Sequence, residues 1–115
     1  MGEQWMNEKQ QANLEKRYGG IPEITEMDKL IALLANNPEG TRVVSVYGRP
    51  SVRFLDKTGY EVGDVVCHWG SYGHQKGLLE AYGVVSNKAD EVEGWRTAEQ
   101  VFSKWQEVKK ELEWI

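Results

Sequence analysis

The sequence predicts a single α+β domain over residues 1–115: a small antiparallel meander sheet of three to four strands, two helices ahead of it, and one long C-terminal amphipathic helix packed on it. Three observations carry this prediction. Capping-box sequences mark helix starts at Thr25 and Thr97. A helical apolar stripe runs from Ala98 to the C-terminus. Between these, from Thr41 onward, the pattern turns β-branched and is cut by turns rich in glycine.

The first segment, Glu3 to Arg17, is rich in Glu, Gln, Lys and Ala and stops at Gly19-Gly20. Its apolar face is thin: Trp5, Met6, Leu14 and Tyr18. Two readings stand for residues 1–20, a helix packed through Trp5 or a mobile helical arm that orders on a partner. The second helix follows Thr25-Glu26-Met27-Asp28, where the Thr hydroxyl and Asp carboxylate satisfy orphan N–H groups. Met27, Leu30, Ile31 and Leu34 then share one face, and Asn36-Asn37-Pro38 ends the helix.

Arg42 to Tyr47 reads as a strand, Gly48-Arg49-Pro50 as a turn, and Ser51 to Leu55 as the return strand. After Asp56-Lys57-Thr58-Gly59, Tyr60 to Trp69 and Leu78 to Val85 are two more strands, joined by a glycine-rich hairpin loop, Gly70 to Gly77. Leu78 to Tyr82 also suits a helix, but the apolar run through Val85 favours strand. In the last helix Ala98, Val101, Trp105, Val108, Leu112 and Ile115 are spaced 3, 4, 3, 4, 3, and Phe102 widens the stripe.

Composition fits one globular domain, with 40% hydrophobic and 28% charged residues in 115. No apolar run approaches the ~20 residues that span a bilayer, and the N-terminus is polar, so a cytoplasmic location with no membrane partner is expected. A single cysteine, Cys67, excludes an intramolecular disulfide and any multi-cysteine metal site. Fourteen basic against eighteen acidic residues give −4, which argues against an obligate nucleic-acid coat. Residues 1–40 and 88–115 are net acidic, and the middle is slightly basic.

Cys67, His68 and His74 could form a thiolate or zinc site for a hydrolase. Against this, neighbours on a strand point to opposite faces, and a thiol within Asp64-Val65-Val66-Cys67 suits a core. The structural reading is preferred, with no catalytic residue, metal or cofactor expected. Gly70 and Gly73 are expected at positive-φ turn positions, with His74 exposed at the loop tip. Arg42, Arg49 and Arg53 cluster around one hairpin, as a solvated rim or as an anion-binding patch for a regulatory module. Five tryptophans are many for this length; Trp5 and Trp114 near the termini suit either interface anchors or mutual packing.

The run Thr58-Gly59-Tyr60, Val65-Val66, Gly70-Ser71-Tyr72-Gly73, Gly77-Leu78-Leu79-Glu80 and Val92-Glu93-Gly94-Trp95-Arg96-Thr97-Ala98-Glu99-Gln100-Val101 resembles small accessory proteins encoded by phages and mobile elements. The resemblance covers about the last half of the chain, and Cys67-His68-Trp69 and the N-terminal helices depart from it. It implies expression in a bacterial host and a non-enzymatic inhibitor or modulator of a host protein, such as an anti-CRISPR or anti-restriction factor against a nucleic-acid-binding nuclease. The expected contacts are Trp5, Glu8, Glu15, Glu107, Glu111 and Trp114, with carboxylates occupying phosphate positions in a basic channel.

Overall fold

Capping boxes set the helix starts. The computed structural model describes residues 8–88 and 90–114, apart from the side chains of Gln11, Leu14 and Tyr18. Helix α1 spans Glu8–Tyr18 and α2 spans Glu26–Leu34. At the start of α2 the Thr25 hydroxyl accepts the Met27 N–H at 3.1 Å, and the Thr25 N–H donates to the Asp28 carboxylate at 2.8 Å. Helix α3, Ala98–Glu111, opens with the reciprocal pair Thr97 and Gln100. The expected contacts at Trp5, and Ile115 at the end of the stripe, lie outside the described residues.

Five antiparallel strands form a simple meander: β1 Thr41–Val46, β2 Arg49–Leu55, β3 Glu61–Val66, β4 Leu79–Gly83 and β5 Glu93–Arg96. The α+β class, the meander and the long C-terminal helix agree with the sequence; the strand number is five rather than three or four. The extra strand, β5, has four residues, Glu-Gly-Trp-Arg, none β-branched, and so gives no alternation to read. Gly48-Arg49-Pro50 is not the first turn. The turn is Tyr47-Gly48, with φ of 52° and 74°, the two-residue hairpin geometry that follows strand twist, and Arg49 opens β2.

Strand pairing sorts residues to two faces. Val52 lies opposite Val65, and Val65 opposite Ala81, so these share one face with Phe54 and Leu79. They meet Met27, Leu30 and Leu34 of α2 and Ala98, Val101, Trp105 and Val108 of α3 in one core. Trp105 is fully buried, its ring 4.8 Å from that of Phe54. Glu26 ties the two helices together: its carboxylate accepts the Ala98 N–H at 2.9 Å and pairs with Lys29 at 2.9 Å, and these partners hold its pKa below the usual range. Beyond α3, the Trp114 indole donates to the Leu55 carbonyl at 2.8 Å, fastening the chain end to β2.

Both α2 and α3 pack on this one face of the sheet. No helix of the described residues is long and apolar enough to cross a membrane.

Truncating Trp105 to alanine should cost ~3–5 kcal/mol, because it empties the middle of the interface between α3 and the sheet. Urea denaturation measures it; a loss under about 1 kcal/mol would mean that α3 does not hold the core.

Candidate functional site

The outer face of the sheet is built by the same registers read on the alternate residues. Arg42 lies opposite Arg53, Arg53 opposite Asp64, and Asp64 opposite Tyr82, making one row across four strands. The next row holds Val44, Ser51, Val66 and Glu80. One end of this face is covered by the loop after β3. There Trp69 and Val66 are buried outside the main core, and the Arg49 guanidinium lies 5.9 Å from the Trp69 ring centre.

The three arginines therefore share one face, as the sequence suggested, but most of their charge is engaged. Arg53 faces Glu61 at 3.4 Å and Asp64 at 3.7 Å, and Arg49 lies over Trp69. Burial raises the Asp64 pKa, while Arg53 pulls it down and Glu61 and Glu80 push it up. Arg42 is exposed and makes no ion pair among the described residues.

Cys67, His68 and His74 are each engaged in the fold. Cys67 is 1% exposed within the core, and burial raises its thiol pKa, which keeps it protonated at neutral pH. His68 packs edge-on to Tyr47 at 5.2 Å, and its Nδ1 accepts the Gly70 N–H at 3.0 Å. Burial lowers its pKa, so the ring is neutral at pH 7. His74 is not at an exposed tip: it sits in a 3₁₀ turn, His74–Lys76, is 9% exposed, and its Nδ1 lies 2.7 Å from the Ser71 carbonyl. The loop coils inward because Ser71 bonds back to His68, with its hydroxyl donating to the His68 carbonyl and accepting the His68 N–H. Among the described residues no group of three or more His, Cys, Asp or Glu could hold a metal.

The helical acidic residues are exposed and share their helices with basic ones. Glu8 and Glu15 share α1 with Lys9, Lys16 and Arg17; Glu107 and Glu111 share α3 with Glu99, Lys104, Lys109 and Lys110. Counted over these bounds, α1 is net positive and α3 neutral. Trp114, half-buried, is committed to Leu55. A groove of 590 Å³ runs between α2 and the start of α3 over Ala32 and Leu33, but its Glu26 is spent on Ala98 and Lys29.

A different constellation emerges at the β4–β5 edge. Tyr72 and Trp95 stack with ring centres 5.5 Å apart and planes at 20°, yet are 54% and 60% exposed. Leu79 pairs with Arg96 and Ala81 with Glu93, so two residues, Gly94 and Trp95, stand opposite the single Glu80. This is a β-bulge, the device that re-aims a side chain. It holds Trp95 at φ 54°, a left-handed backbone that costs a bulky residue on the order of 1–3 kcal/mol. Glu80 accepts the Tyr72 N–H at 2.8 Å and makes no ion pair among the described residues. Tyr82, two residues along β4 on the same face, is 43% exposed.

Two glycines make room for this stack. A Cβ on Gly94 would collide with that of Tyr72. Gly73 has φ 90°, and a Cβ there would lie 3.0 Å from Leu78 Cβ and 3.2 Å from Trp95 Cα. Gly70, by contrast, is not at positive φ, and a Cβ there would meet only the His68 ring at ordinary contact distance. Sequence reasoning passed over Tyr72, Glu80, Tyr82 and Trp95 as a site. The available signal was two aromatics flanked by glycine, Tyr72-Gly73 and Gly94-Trp95, within the stretch that carries the phage-protein resemblance. Compared with protein-family models, with curated proteins and with solved structures, the chain matches none.

Replacing Gly73 by valine should destabilise the domain by ~1–3 kcal/mol, since a β-branched residue is strained at this φ and crowds Trp95. Thermal melting checks it; an unshifted midpoint would mean that the loop relaxes freely and does not hold the stack.

Proposed function

We propose that this chain is a non-enzymatic binding protein of phage or mobile-element origin that inhibits or modulates a protein of its bacterial host, acting in the host cytoplasm. A nucleic-acid-binding nuclease, blocked in the manner of an anti-CRISPR or anti-restriction factor, is the partner class this reading favours.

The observation that supports it is the Tyr72–Trp95 stack, held in solvent by a strained bulge. Folding alone favours burying a tryptophan, and large aromatics dominate the energetics of interfaces. Strain retained to expose one is the mark of a contact made elsewhere. The stack is also rigid before binding, so little side-chain entropy is lost on docking.

The surface that this reading favours therefore differs from the helical one. With α1 net positive and α3 neutral, phosphate mimicry by Glu8, Glu15, Glu107 and Glu111 has weak electrostatic support. These residues are assigned to the rim of the interface or outside it.

Tagged protein mixed with bacterial lysate, followed by size exclusion, tests the proposal. The wild type should co-elute with one host protein. Trp95→Ala should weaken that complex by roughly 30-fold or more, the scale of a hot-spot aromatic, with little change in melting. A Glu107→Lys, Glu111→Lys double variant should bind within about threefold of wild type, as rim changes do. A Trp95→Ala variant that co-elutes as well as wild type would overturn the proposal.

A further inference from the structure

The outer face is electrically divided: its registers place Arg42, Arg49 and Arg53 on β1 and β2, and Asp64 and Glu80 on β3 and β4. The aromatic stack stands on the acidic half. Beside it Glu80 is half-buried, has one carboxylate oxygen on the Tyr72 N–H, and has no cation paired with it among the described residues. Asp64, diagonal to Glu80 across the β3–β4 ladder, is only weakly engaged by Arg53 at 3.7 Å. Tyr82 lies between them on the same face.

A carboxylate without a cation, next to an open Trp–Tyr stack, is complementary to one side-chain chemistry in particular. A guanidinium is planar, so it lies flat on an indole, and its edge N–H groups reach a carboxylate at the same time. An ammonium can do the second but not the first. Resting on the binding function proposed above, we infer that the face formed by Tyr72, Glu80, Tyr82 and Trp95 docks an arginine-bearing basic segment of the partner protein. The arginine stacks on Trp95 and pairs with Glu80, and Asp64 adds a second negative charge. A partner that handles nucleic acid carries such basic segments on its own surface.

The test uses the intact protein and end-capped glycine–arginine peptides, followed through the indole N–H resonance of Trp95 and the backbone amide of Tyr72. The arginine peptide should shift both saturably, and more weakly as salt rises. A citrulline peptide, the uncharged isostere, should leave them unmoved, and a lysine peptide should bind several-fold more weakly. Glu80→Gln keeps an acceptor for the Tyr72 N–H but removes the charge, and should weaken arginine-peptide binding by roughly tenfold.

Equal binding of the citrulline peptide, or wild-type affinity in Glu80→Gln, overturns the inference. So do shifts that follow protein concentration without peptide, which would point to a second copy offering its basic β1–β2 half. Shifts produced by oligothymidylate instead of arginine would point to stacked bases and overturn it as well. If the arginine peptide fails while Trp95→Ala still loses the host protein, the guanidinium chemistry falls and the binding function stands. If Trp95→Ala keeps the host protein, the binding function itself falls.

Discussion

The contact of Trp105 with Phe54 organises this domain. It joins the middle of α3 to β2, the second strand of the first hairpin, with ring centres 4.8 Å apart and Trp105 wholly removed from water. The same core takes in Met27, Leu30 and Leu34 of α2 and Val65, Leu79 and Ala81 of β3 and β4. Glu26 then fixes the angle between helices by capping α3 from α2, which spares a separate anion for the Ala98 N–H. Because both helices are drawn to one face, the opposite face has to be stabilised by local means. It uses cross-strand ion pairs around Arg53, and a small buried group in which Trp69 lies beneath Arg49.

The unevenness of that second face is what gives it a direction. At the β1–β2 end Arg53 is engaged with carboxylates and Arg49 with an indole, and at the β4–β5 end the aromatics project and the carboxylate of Glu80 has no cation paired with it among the described residues. A bulge produces the difference. Two residues opposite one turn Trp95 outward, and glycine at 94 and at 73 removes Cβ atoms that would crowd Tyr72 and Trp95 respectively. On the paired strand β5 Trp95 holds its geometry better than it would on a free loop, which suits a docking surface.

How much of this was legible in the sequence follows the range of the physics involved. The starts of α2 and α3 were readable because a capping box is a contact within three residues, and the Ala98-Val101-Trp105-Val108 stripe because a helix repeats locally. Strand β4 was readable from its apolar continuation. The burial of His74 was not, since it depends on Ser71 bonding back to His68 and coiling the loop inward. The site was hidden for the same reason. Nothing near Trp95 announces that Glu80 will stand opposite two residues, because that register is set by the pairings Ala81–Glu93 and Leu79–Arg96, 12 and 17 positions apart in the chain. The helical carboxylates misled in a different way: charge summed over the acidic chain ends did not survive being divided into helices with their own lysines.

Backbone strain at residue 95 serves the exposed indole and not the fold. Paired stability measurements on Trp95→Gly and Trp95→Ala test it most directly, because both remove the indole and differ only in how well they accept positive φ. Glycine should be more stable than alanine by roughly 0.5–1 kcal/mol, with both variants close to wild type in denaturant midpoint. Alanine matching or exceeding glycine, or both variants losing more than about 3 kcal/mol, would show instead that the indole is part of what holds the domain together.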